Sequence, residues 1–255
     1  MVIESTSNPL VKQWKKLKDK KYRKQTGTYL VEGVNLCDEC IKYRPDLIRA
    51  AIVTPDKSDL VKEIETVYQV SEKVMNYIGD TETPQGIILV ADAEQTMPDF
   101  SVMKRILYLD CVKDPGNVGT LIRSADAFGA EMVVLSVGCA ELFNPKTVRA
   151  TMGAMFHLPV VMEFEYLEWI EKLKKAGFEI VTGSLDGVMT PADFDFQNKK
   201  SVICLGNEAH GVSQELLATG VTKVKIPMPG NAESLNVAIA GSVLLYEAIR
   251  RNKND

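Results

Sequence analysis

Short apolar segments alternate with helical patterns through residues 102–255, and this alternation is the feature that most constrains the fold. The segments are apolar on both faces, which is typical of strands that lie buried between helices. Strands that are joined by helices pair in parallel, so the pattern predicts an α/β fold with a mostly parallel sheet. The predicted strands are 105–109, 132–137, 178–182, 201–205 and 223–226, and the predicted helices are 117–128, 146–155, 166–176 and 234–251.

Residues 1–92 show patterns of the same kind and predict a separate, smaller α/β domain. Asn8 is placed to cap a basic helix that has Pro9 at its first position. The stretch 93–101 has no periodicity and contains Pro98, so it is predicted to be the linker to a domain spanning 102–255. The predicted strands of the first domain are 28–32, 50–54, 66–70 and 86–91, and its further helices are 34–43, 59–65 and 71–78.

Positive charge is concentrated near the N-terminus. The chain has a net charge of −4, yet residues 12–24 contain eight basic residues and one acid, which leaves 22 basic and 33 acidic residues elsewhere. Trp14 and Tyr22 are interleaved with the lysines, a combination that can neutralise phosphates and stack on bases. A solvated helix face is the alternative. The candidate RNA-binding residues of this run are Lys12, Lys15, Lys16, Lys20, Lys21, Arg23 and Lys24.

The five cysteines do not indicate a disulfide framework, because their number is odd and their spacings are irregular. Cys37 and Cys40 form a C-x-x-C that either binds a metal or, being three apart in a predicted helix, faces a core. No further ligands lie at a suitable spacing, so no metal is predicted. The sequence has no run of about 18 apolar residues and no signal-peptide pattern, so we expect a cytoplasmic protein without a membrane span.

Three strand ends in residues 102–255 carry unusual residues, and ligands of parallel sheets bind at such ends. At the first, Pro115 and Gly116 turn into a helix that places Asn117 and Arg123 on roughly one face. Asn117 can cap that helix. Arg123 lies among apolar residues and therefore needs a partner, either in the protein or in a phosphate.

The second strand end is the segment from Gly206 to Gly211. Gly206 allows a ligand to approach the backbone closely, and Glu208 lies at the mouth of the loop. His210 is either a general base or an incidental loop residue, and Ser213 is predicted to cap the next helix. The segment is neither a Walker loop nor a dinucleotide-binding G-x-G-x-x-G, which argues against a nucleotide-dependent oxidoreductase.

The third segment, 226–236, contains two prolines and a glycine that fix a rigid loop. The helix that follows is apolar nearly all round, so it is predicted to be buried in the core or against another subunit. Ser234 and Asn236 at its start then need hydrogen-bond partners. Those partners are either the loop and helix end themselves or groups of a substrate or cofactor.

Taken in this order, the three segments resemble the motifs of the SpoU (TrmH-like) family of RNA ribose methyltransferases in the SPOUT superfamily. The resemblance rests on N-V-G-T-L-I-R at 117–123, L-G-N-E-x-x-G at 205–211 and I-P-M-x-G-x-x-x-S-L-N at 226–236, and it covers about residues 105–250. Residues 29–33 and the basic run before them resemble the ribosomal-protein-like substrate-binding domain that many members carry.

This resemblance implies S-adenosylmethionine as cofactor, a deep trefoil knot near the C-terminus and a homodimer formed through the knotted domain. The implied reaction is methyl transfer to a ribose 2′-hydroxyl of RNA, with 23S ribosomal RNA as the expected substrate. The residues implied to contact the cofactor are Thr182, Gly183, Leu205, Gly206, Ile226, Met228, Ser234 and Leu235. The residues implied in catalysis are Arg123, Asn117, Glu208, Ser234 and Asn236, and Arg123 is also expected to contact RNA.

The role of Arg123 has two interpretations. In the family, the arginine that matches Arg123 is assigned the role of the base, with help from an RNA phosphate. Because a guanidinium stays protonated in proteins, we favour a clamp that holds the phosphate and stabilises the developing oxyanion. For the protein as a whole, the alternatives are a transfer RNA ribose methyltransferase and a non-catalytic RNA-binding or ribosome-assembly protein.

Overall fold

The computed structural model describes residues 2–94, 99–162 and 166–250. By its contacts the chain divides into an N-terminal unit, Met1–Glu94 with Glu141–His157, and a C-terminal unit, Gln95–Ala140 with Leu158–Asp255. Residues 95–98 of the predicted linker lie outside the described residues. The predicted domain bounds, 1–92 and 102–255, stay a prediction, and the segment 141–157 groups with the N-terminal unit.

The described residues form ten strands and nine α-helices. The strands are β1 (Thr28–Glu32), β2 (Ile48–Val53), β3 (Val67–Gln69), β4 (Ile87–Asp92), β5 (Arg105–Leu109), β6 (Met132–Leu135), β7 (Val160–Met162), β8 (Phe178–Gly183), β9 (Lys200–Leu205) and β10 (Thr222–Val224). The helices are α1 (Pro9–Lys16), α2 (Lys20–Thr26), α3 (Val34–Tyr43), α4 (Glu72–Ile78), α5 (Pro115–Ala127), α6 (Pro145–Thr151), α7 (Tyr166–Lys175), α8 (Gln214–Ala218) and α9 (Val237–Ile249).

The sheet of the N-terminal unit has the order β1-β4-β2-β3. β4 lies between β1 and β2 and pairs with both in antiparallel register, while β3 joins β2 in parallel. Its core forms where Val11 and Trp14 of α1 and Ile78 of α4 pack together with Ile52 and Ile88 of the sheet. The small α/β domain predicted from the sequence is therefore present.

The basic run forms two helices rather than the single one that was predicted. Asn8 caps α1 and Pro9 stands at its first position, as expected. Asp19, the one acid of the run, accepts a hydrogen bond from the Lys21 amide and caps α2. Gly27 ends α2 in the left-handed conformation with φ 66°, which glycine adopts without steric penalty.

Arg23 is a correction to the predicted RNA-binding set. Its side chain is only 3% exposed, and its Nη2 lies 2.6 Å from Oε2 of Glu141. Its Nη1 donates to the carbonyls of Leu17 and Lys18. All of these contacts lie inside the N-terminal unit, so the guanidinium stabilises the fold and is not available for RNA.

Residues 141–157 are held in the N-terminal unit by ion pairs as well as by apolar packing. Besides the pair of Glu141 with Arg23, Arg149 pairs with Asp80 at 2.8 Å, and the phenyl ring of Phe143 packs against Tyr29 with centroids 4.6 Å apart. The predicted helix 146–155 ends early, at Thr151, because Met152 takes a positive φ of 51°.

The C-terminal unit contains a six-stranded sheet in which all five neighbouring pairs are parallel, in the order β10-β8-β9-β5-β6-β7. This confirms the predicted α/β fold with a mostly parallel sheet. Strand β7 was not predicted from the sequence. The order places the C-terminal ends of β5, β9, β8 and β10 side by side, and the three polar segments follow these ends.

Helices α5 and α9 and strand β10 have bounds that differ from the prediction. Helix α5 begins at Pro115 because the Asp114 side chain, not Asn117, accepts from the first turn. Helix α9 begins at Val237 because Asn236 is its cap. Strand β10 ends at Val224, two residues earlier than predicted, and Pro227 and Pro229 that follow it have no N–H to donate to a sheet.

Cys37 and Cys40 lie in the core on α3, and neither is exposed. Burial raises the pKa of both thiols, to about 12 for Cys40. Within 2–94, 99–162 and 166–250 the structure contains no cluster of three or more metal-ligating side chains and no helix that could cross a membrane.

Candidate active site

The three polar segments of the C-terminal unit meet at one edge of its parallel sheet. Asn117 lies in the first turn of α5, after β5. Glu208 lies in the loop after β9, and Asn236 caps α9 at the end of the loop that follows β10. Residues separated by up to 119 positions in sequence are therefore brought into contact by the strand order.

These three side chains form a hydrogen-bonded chain, called here the motif network (Asn117, Glu208 and Asn236). The Nδ2 of Asn236 donates to Oδ1 of Asn117 at 3.1 Å. The Nδ2 of Asn117 donates in turn to Oε1 of Glu208 at 3.0 Å. The Oδ1 of Asn236 accepts from the amides of Ala238 and Ile239, so each end of the network is anchored.

The groups at the two ends of the network determine which atom donates and which accepts in each of its hydrogen bonds. An ionised carboxylate only accepts, so Glu208 requires the amide NH₂ of Asn117. The first amides of α9 only donate, so Asn236 must offer them its oxygen and has its NH₂ left for Asn117. The orientations of both asparagine amides are thereby fixed, which makes the arrangement pre-organised.

Glu208 is held in its ionised form. Partial burial raises the pKa of this carboxyl, but hydrogen bonds from Asn117 and from the backbone amides of Asp114 and Lys113 outweigh burial and keep the pKa below its usual value. The beginning of α5 adds favourable helix-dipole charge at this position. A carboxylate with a lowered pKa is a poor proton acceptor, so its contribution is to orient Asn117.

The loop from Asn207 to Gly211 closes on itself. The amides and carbonyls of these two residues exchange hydrogen bonds of 2.8 and 2.9 Å, and Asn207 Nδ2 also donates to the carbonyl of Cys111. A Cβ on Gly206 would lie about 2.0 Å from the backbone carbon of Gly211. The chain itself makes a close approach that requires glycine here, and the predicted contact of Gly206 with a cofactor stays a prediction.

Helix α9 packs closely on α5 and β9 behind this loop. A Cβ on Gly241 would lie 2.4 Å from side-chain atoms of both Leu121 and Leu205. Ser124 and Ser242 share a hydrogen bond of 2.7 Å between the same two helices. This packing holds Asn236 in register with Asn117, so a side chain at position 241 would disturb the network indirectly.

The predicted cofactor residues lie at the ends of β8 and β9 and in the loop before α9. Thr182 is buried, and its hydroxyl donates to the Cys204 carbonyl. Gly183 at the end of β8 is exposed. Leu205 is buried, and its carbonyl accepts from the Asp110 amide. The Thr182 hydroxyl and the Leu205 carbonyl are thus used by the fold.

The loop 226–235 is where the structure offers unused backbone groups. Ile226, Met228 and Leu235 are half-buried, whereas Ser234 is exposed. No backbone amide or carbonyl of residues 226–235 makes a hydrogen bond to another backbone group of the described residues. Backbone polar groups that are near a surface and lack partners can recognise the edge of a purine. The residues present therefore fit an adenosine-containing cofactor.

Arg123 and Ser234 are not part of the motif network. Arg123 is exposed on α5, and its guanidinium has no hydrogen bond or ion pair within the described residues. It lies almost two turns after Asn117 on the same helix. An exposed, unpaired arginine on the helix that carries Asn117 is available to bind an anion such as a phosphate.

Sequence reasoning missed three residues that build the site. Asp114 caps α5, and a cap signal was available, because an aspartate directly precedes Pro115. Asp110 accepts from the Ser213 amide at 2.7 Å and Asn207 donates to Cys111. Neither contact has a local sequence signal, since each joins positions about a hundred residues apart.

Comparison with known proteins identifies the family to which the chain belongs. The SpoU rRNA methylase family matches residues 104–246, and an MRM3-like substrate-binding domain matches residues 8–89. The chain belongs to the SpoU rRNA methylase family. The predicted resemblance is thereby confirmed for both parts of the chain.

Relatives and solved structures agree with this assignment. The chain is 37% identical over 249 residues to the 23S rRNA (guanosine(2553)-2′-O)-methyltransferase RlmP of Bacillus subtilis, covering 96% of this chain and 97% of the relative. It is 29% identical to a 23S rRNA (uridine(2479)-2′-O)-methyltransferase of Streptomyces viridochromogenes, with 97% and 91% covered. An S-adenosylmethionine-bound rRNA methyltransferase from Sinorhizobium meliloti superposes with a TM-score of 0.87 at 31% identity, covering 97% of each chain.

These findings confirm the predicted enzyme class, an RNA methyltransferase, and its cofactor, S-adenosylmethionine. They do not test the individual site residues. The roles of Arg123, Asn117, Glu208, Ser234 and Asn236, and of the cofactor-contacting residues, therefore remain predictions.

Proposed function

We propose that this protein transfers a methyl group to a ribose 2′-hydroxyl of 23S ribosomal RNA. The observation that carries the proposal is the motif network, in which all three polar segments meet at the carboxyl edge of the parallel sheet. A fixed network, on one of whose helices an exposed arginine also lies, suits a reaction that depends on positioning an RNA hydroxyl.

S-adenosylmethionine, when bound, supplies an electrophilic methyl group. The residues proposed to hold it are Gly183 at the end of β8, Gly206 at the start of the loop after β9, and Ile226, Met228 and Leu235 of the loop 226–235. The free backbone groups of that last loop are the support for this assignment.

Arg123 acts as the clamp on the substrate in this proposal. Its planar fork binds the two oxygens of a phosphate, and its charge stabilises the oxyanion that develops as the ribose hydroxyl loses its proton. The beginnings of α5 and α9 both adjoin the motif network, and their dipoles favour negative charge at the same place. Ser234 is exposed near Asn236 and is proposed to contact the ribose.

Glu208 and Asn236 are proposed to be positioning residues rather than bases. Their hydrogen bonds fix the amide of Asn117, and Glu208 stays ionised because of them. The proton of the ribose hydroxyl would pass to solvent or to the clamped phosphate, which leaves the charge of Arg123 unchanged.

Ribosomal RNA is favoured as the substrate by two observations. Relatives that align over more than nine tenths of the chain are named as 23S rRNA 2′-O-methyltransferases. The N-terminal unit matches a substrate-binding domain and presents lysines of α1 and α2 on its surface. A transfer RNA substrate is the alternative that the experiment below must distinguish.

A homodimer and a knotted chain belong to the same proposal. Helix α9 packs on β8, β9 and α5, which is consistent with a C-terminal trefoil knot. Its outer side exposes Ile239, Tyr246 and Ile249. Ile239 and Tyr246, together with Thr120 and Val243, line a cavity of about 310 Å³. Exposed apolar surface of this kind marks an interface, so we propose that the dimer forms there. A cytoplasmic location stays a prediction.

The experiment is mass-spectrometric mapping of ribose methylation in RNA from cells with and without this protein. We expect one 2′-O-methyl group of 23S RNA to disappear with the protein and to return when the purified protein and S-adenosylmethionine are added to unmodified ribosomal RNA. Loss of a methyl group from transfer RNA alone would assign the alternative substrate. Unchanged methylation in both RNA fractions would refute the proposal.

A further inference from the structure

A groove of about 440 Å³ on the N-terminal unit is used by nothing in the proposed reaction. It lies between α1, α2 and the edge of the sheet, and this volume is in the range of small-molecule sites. Its floor is apolar and consists of Trp14, Leu17 and Val90, which are each less than a tenth exposed. Its rim is polar and includes Gln13, Lys16, Tyr22, Gln25, Thr26 and Thr28.

The rim carries amide groups that the fold does not use. Gln13 and Gln25 are both exposed, and neither side-chain amide has a hydrogen bond within the described residues. Thr26 donates to the Tyr22 carbonyl and shares a hydrogen bond with Thr28, so Thr28 must be the donor of that second bond. The oxygen of Thr28 is left as an acceptor, and the two glutamines offer both donors and acceptors.

One lysine lines the groove, and the two helices that flank it carry further positive charge, which favours an anionic ligand. Lys16 lies at the rim with its Nζ 5.0 Å above the ring of Tyr22. Lys16 and four more exposed lysines on the same two helices have no ion pair within the described residues. This set, called here the basic face, is Lys12, Lys16, Lys20, Lys21 and Lys24. Lys15 is not part of it, because its ammonium donates to the Tyr77 carbonyl.

We propose that this groove binds an unstacked nucleobase of the substrate RNA while the basic face holds the adjoining phosphates. An apolar floor with an aromatic ring suits a base that has left its helix, and glutamine amides match the donor and acceptor edge of a base. Lysines binding phosphate alone would fix the strand without reading it. The groove therefore contributes to the choice of RNA, and this inference rests on the proposed function.

The first test uses the fluorescence of Trp14 in the groove floor. The chain has two tryptophans, so Trp169→Phe leaves Trp14 as the only reporter. We expect single-stranded pentaribonucleotides to change its emission saturably, whereas inorganic polyphosphate of equal charge leaves it unchanged. An equal response to polyphosphate, or no response to any pentaribonucleotide, would overturn the proposal.

The second test leaves both tryptophans in place. The double variant Gln13→Ala/Gln25→Ala removes the two amides, and alanine is well tolerated at exposed helix positions. We expect its KM for unmodified ribosomal RNA to rise about tenfold, as for loss of base-edge hydrogen bonds, with kcat and the affinity for S-adenosylmethionine unchanged. Gln214→Ala and Lys73→Ala, which change an exposed glutamine and an exposed lysine outside the groove, are the matched controls.

The outcomes separate this proposal from the proposed function. If the unaltered protein methylates ribosomal RNA and the double variant keeps its KM, the groove does not bind a base and the proposed function stands. If the unaltered protein methylates no RNA, the proposed function fails, and the Trp14 titration still decides whether the groove binds a nucleotide.

Discussion

The motif network and the basic face differ in how their polar side chains are satisfied. In the network, Asn117 and Asn236 have fixed orientations because each is tied to Glu208 or to the first amides of α9. On the basic face, the lysines of α1 and α2 have no ion pair within the described residues. Chemistry requires groups held in place before the substrate arrives. Binding a phosphate backbone instead requires charges that can follow it.

Substitution of Arg23 is expected to have the largest effect. It tests whether this buried basic residue stabilises the N-terminal unit, in contrast to the exposed lysines of the basic face. Arg23→Met removes one partner of a buried ion pair and leaves Glu141 uncompensated, so we expect the free energy of unfolding to fall by about 3–5 kcal/mol. Urea unfolding measures it. Lys24→Ala on the same helix is the control and should change stability by less than about 0.5 kcal/mol.

A stability loss in Arg23→Met that Glu141→Met repairs in the double variant would confirm that the pair acts inside the fold. If Arg23→Met keeps wild-type stability and instead weakens RNA binding, the sequence-based assignment of Arg23 to the RNA interface would be restored.

Arg123 is an exposed, unpaired charge on the helix that carries Asn117, and its loss is expected to reduce turnover most. Arg123→Ala should lower kcat by about 10²–10³ because a group that stabilises developing charge is removed. Methyl transfer to unmodified ribosomal RNA measures the rate, and calorimetry should show unchanged affinity for S-adenosylmethionine.

Arg123→Lys decides between the two interpretations of this residue. Lysine keeps the charge but lacks the planar fork, so the clamp predicts a loss of turnover close to that of Arg123→Ala. Near-normal turnover in Arg123→Lys would show that the clamp account is wrong.

The lysines of the basic face should each have a smaller effect, visible as salt dependence. Lys20→Ala/Lys24→Ala is expected to reduce the slope of log K against log salt for RNA binding by about 0.7–0.9 for each phosphate that is no longer neutralised. Filter binding between 50 and 200 mM salt, roughly the range over which such interactions weaken, measures the slope. Lys15→Ala is the control, since the Lys15 ammonium donates to the Tyr77 carbonyl. An equal change of slope in Lys15→Ala would contradict the separation of Lys15 from the basic face.

The smallest expected effect is the pH dependence that Glu208 contributes to stability. Its pKa is lower in the folded protein than in the unfolded chain. The stabilisation is therefore complete above the unfolded pKa, near 4.3, and is lost as the pH falls through the folded pKa. Because the side chain is exposed, we expect less than about 1 kcal/mol.

The measurement is urea unfolding of the protein and of Glu208→Gln between pH 7 and pH 3.5. The difference between the two should be greatest at pH 7 and shrink towards pH 3.5. Glu63→Gln, at an exposed glutamate of the N-terminal unit outside the network, serves as the control. A difference that grows on acidification would mean that Glu208 is not held ionised by the network.

Local patterns predicted most of the elements of this protein. Helix α3 and strands β1 and β5 have the bounds that their apolar periodicity and flanking residues indicated. The caps Asn8 and Ser213 were also correct. Such features depend on residues within one turn or one strand, so the sequence alone carries them.

Errors arose where a contact between distant segments decided the outcome. Arg23 resembles its seven basic neighbours in the sequence, and only its pairing with Glu141, 118 positions away, makes it structural. At Gly206 the sequence indicates a ligand contact, and only the return of the loop at Gly211 shows that the fold itself also requires a glycine there. Short strand β7 has only three residues, too few for a periodicity to be recognised.

The sequence by itself determined the parallel α/β sheet, the three polar segments after its strands and the position of the basic run. Their order along the chain was enough to indicate the family. Only the tertiary structure decided that Asn117, Glu208 and Asn236 form one network whose orientation is fixed from both ends. It also divided the basic residues into buried and exposed ones. Both decisions depend on strand order and on packing between distant segments, which no local pattern encodes.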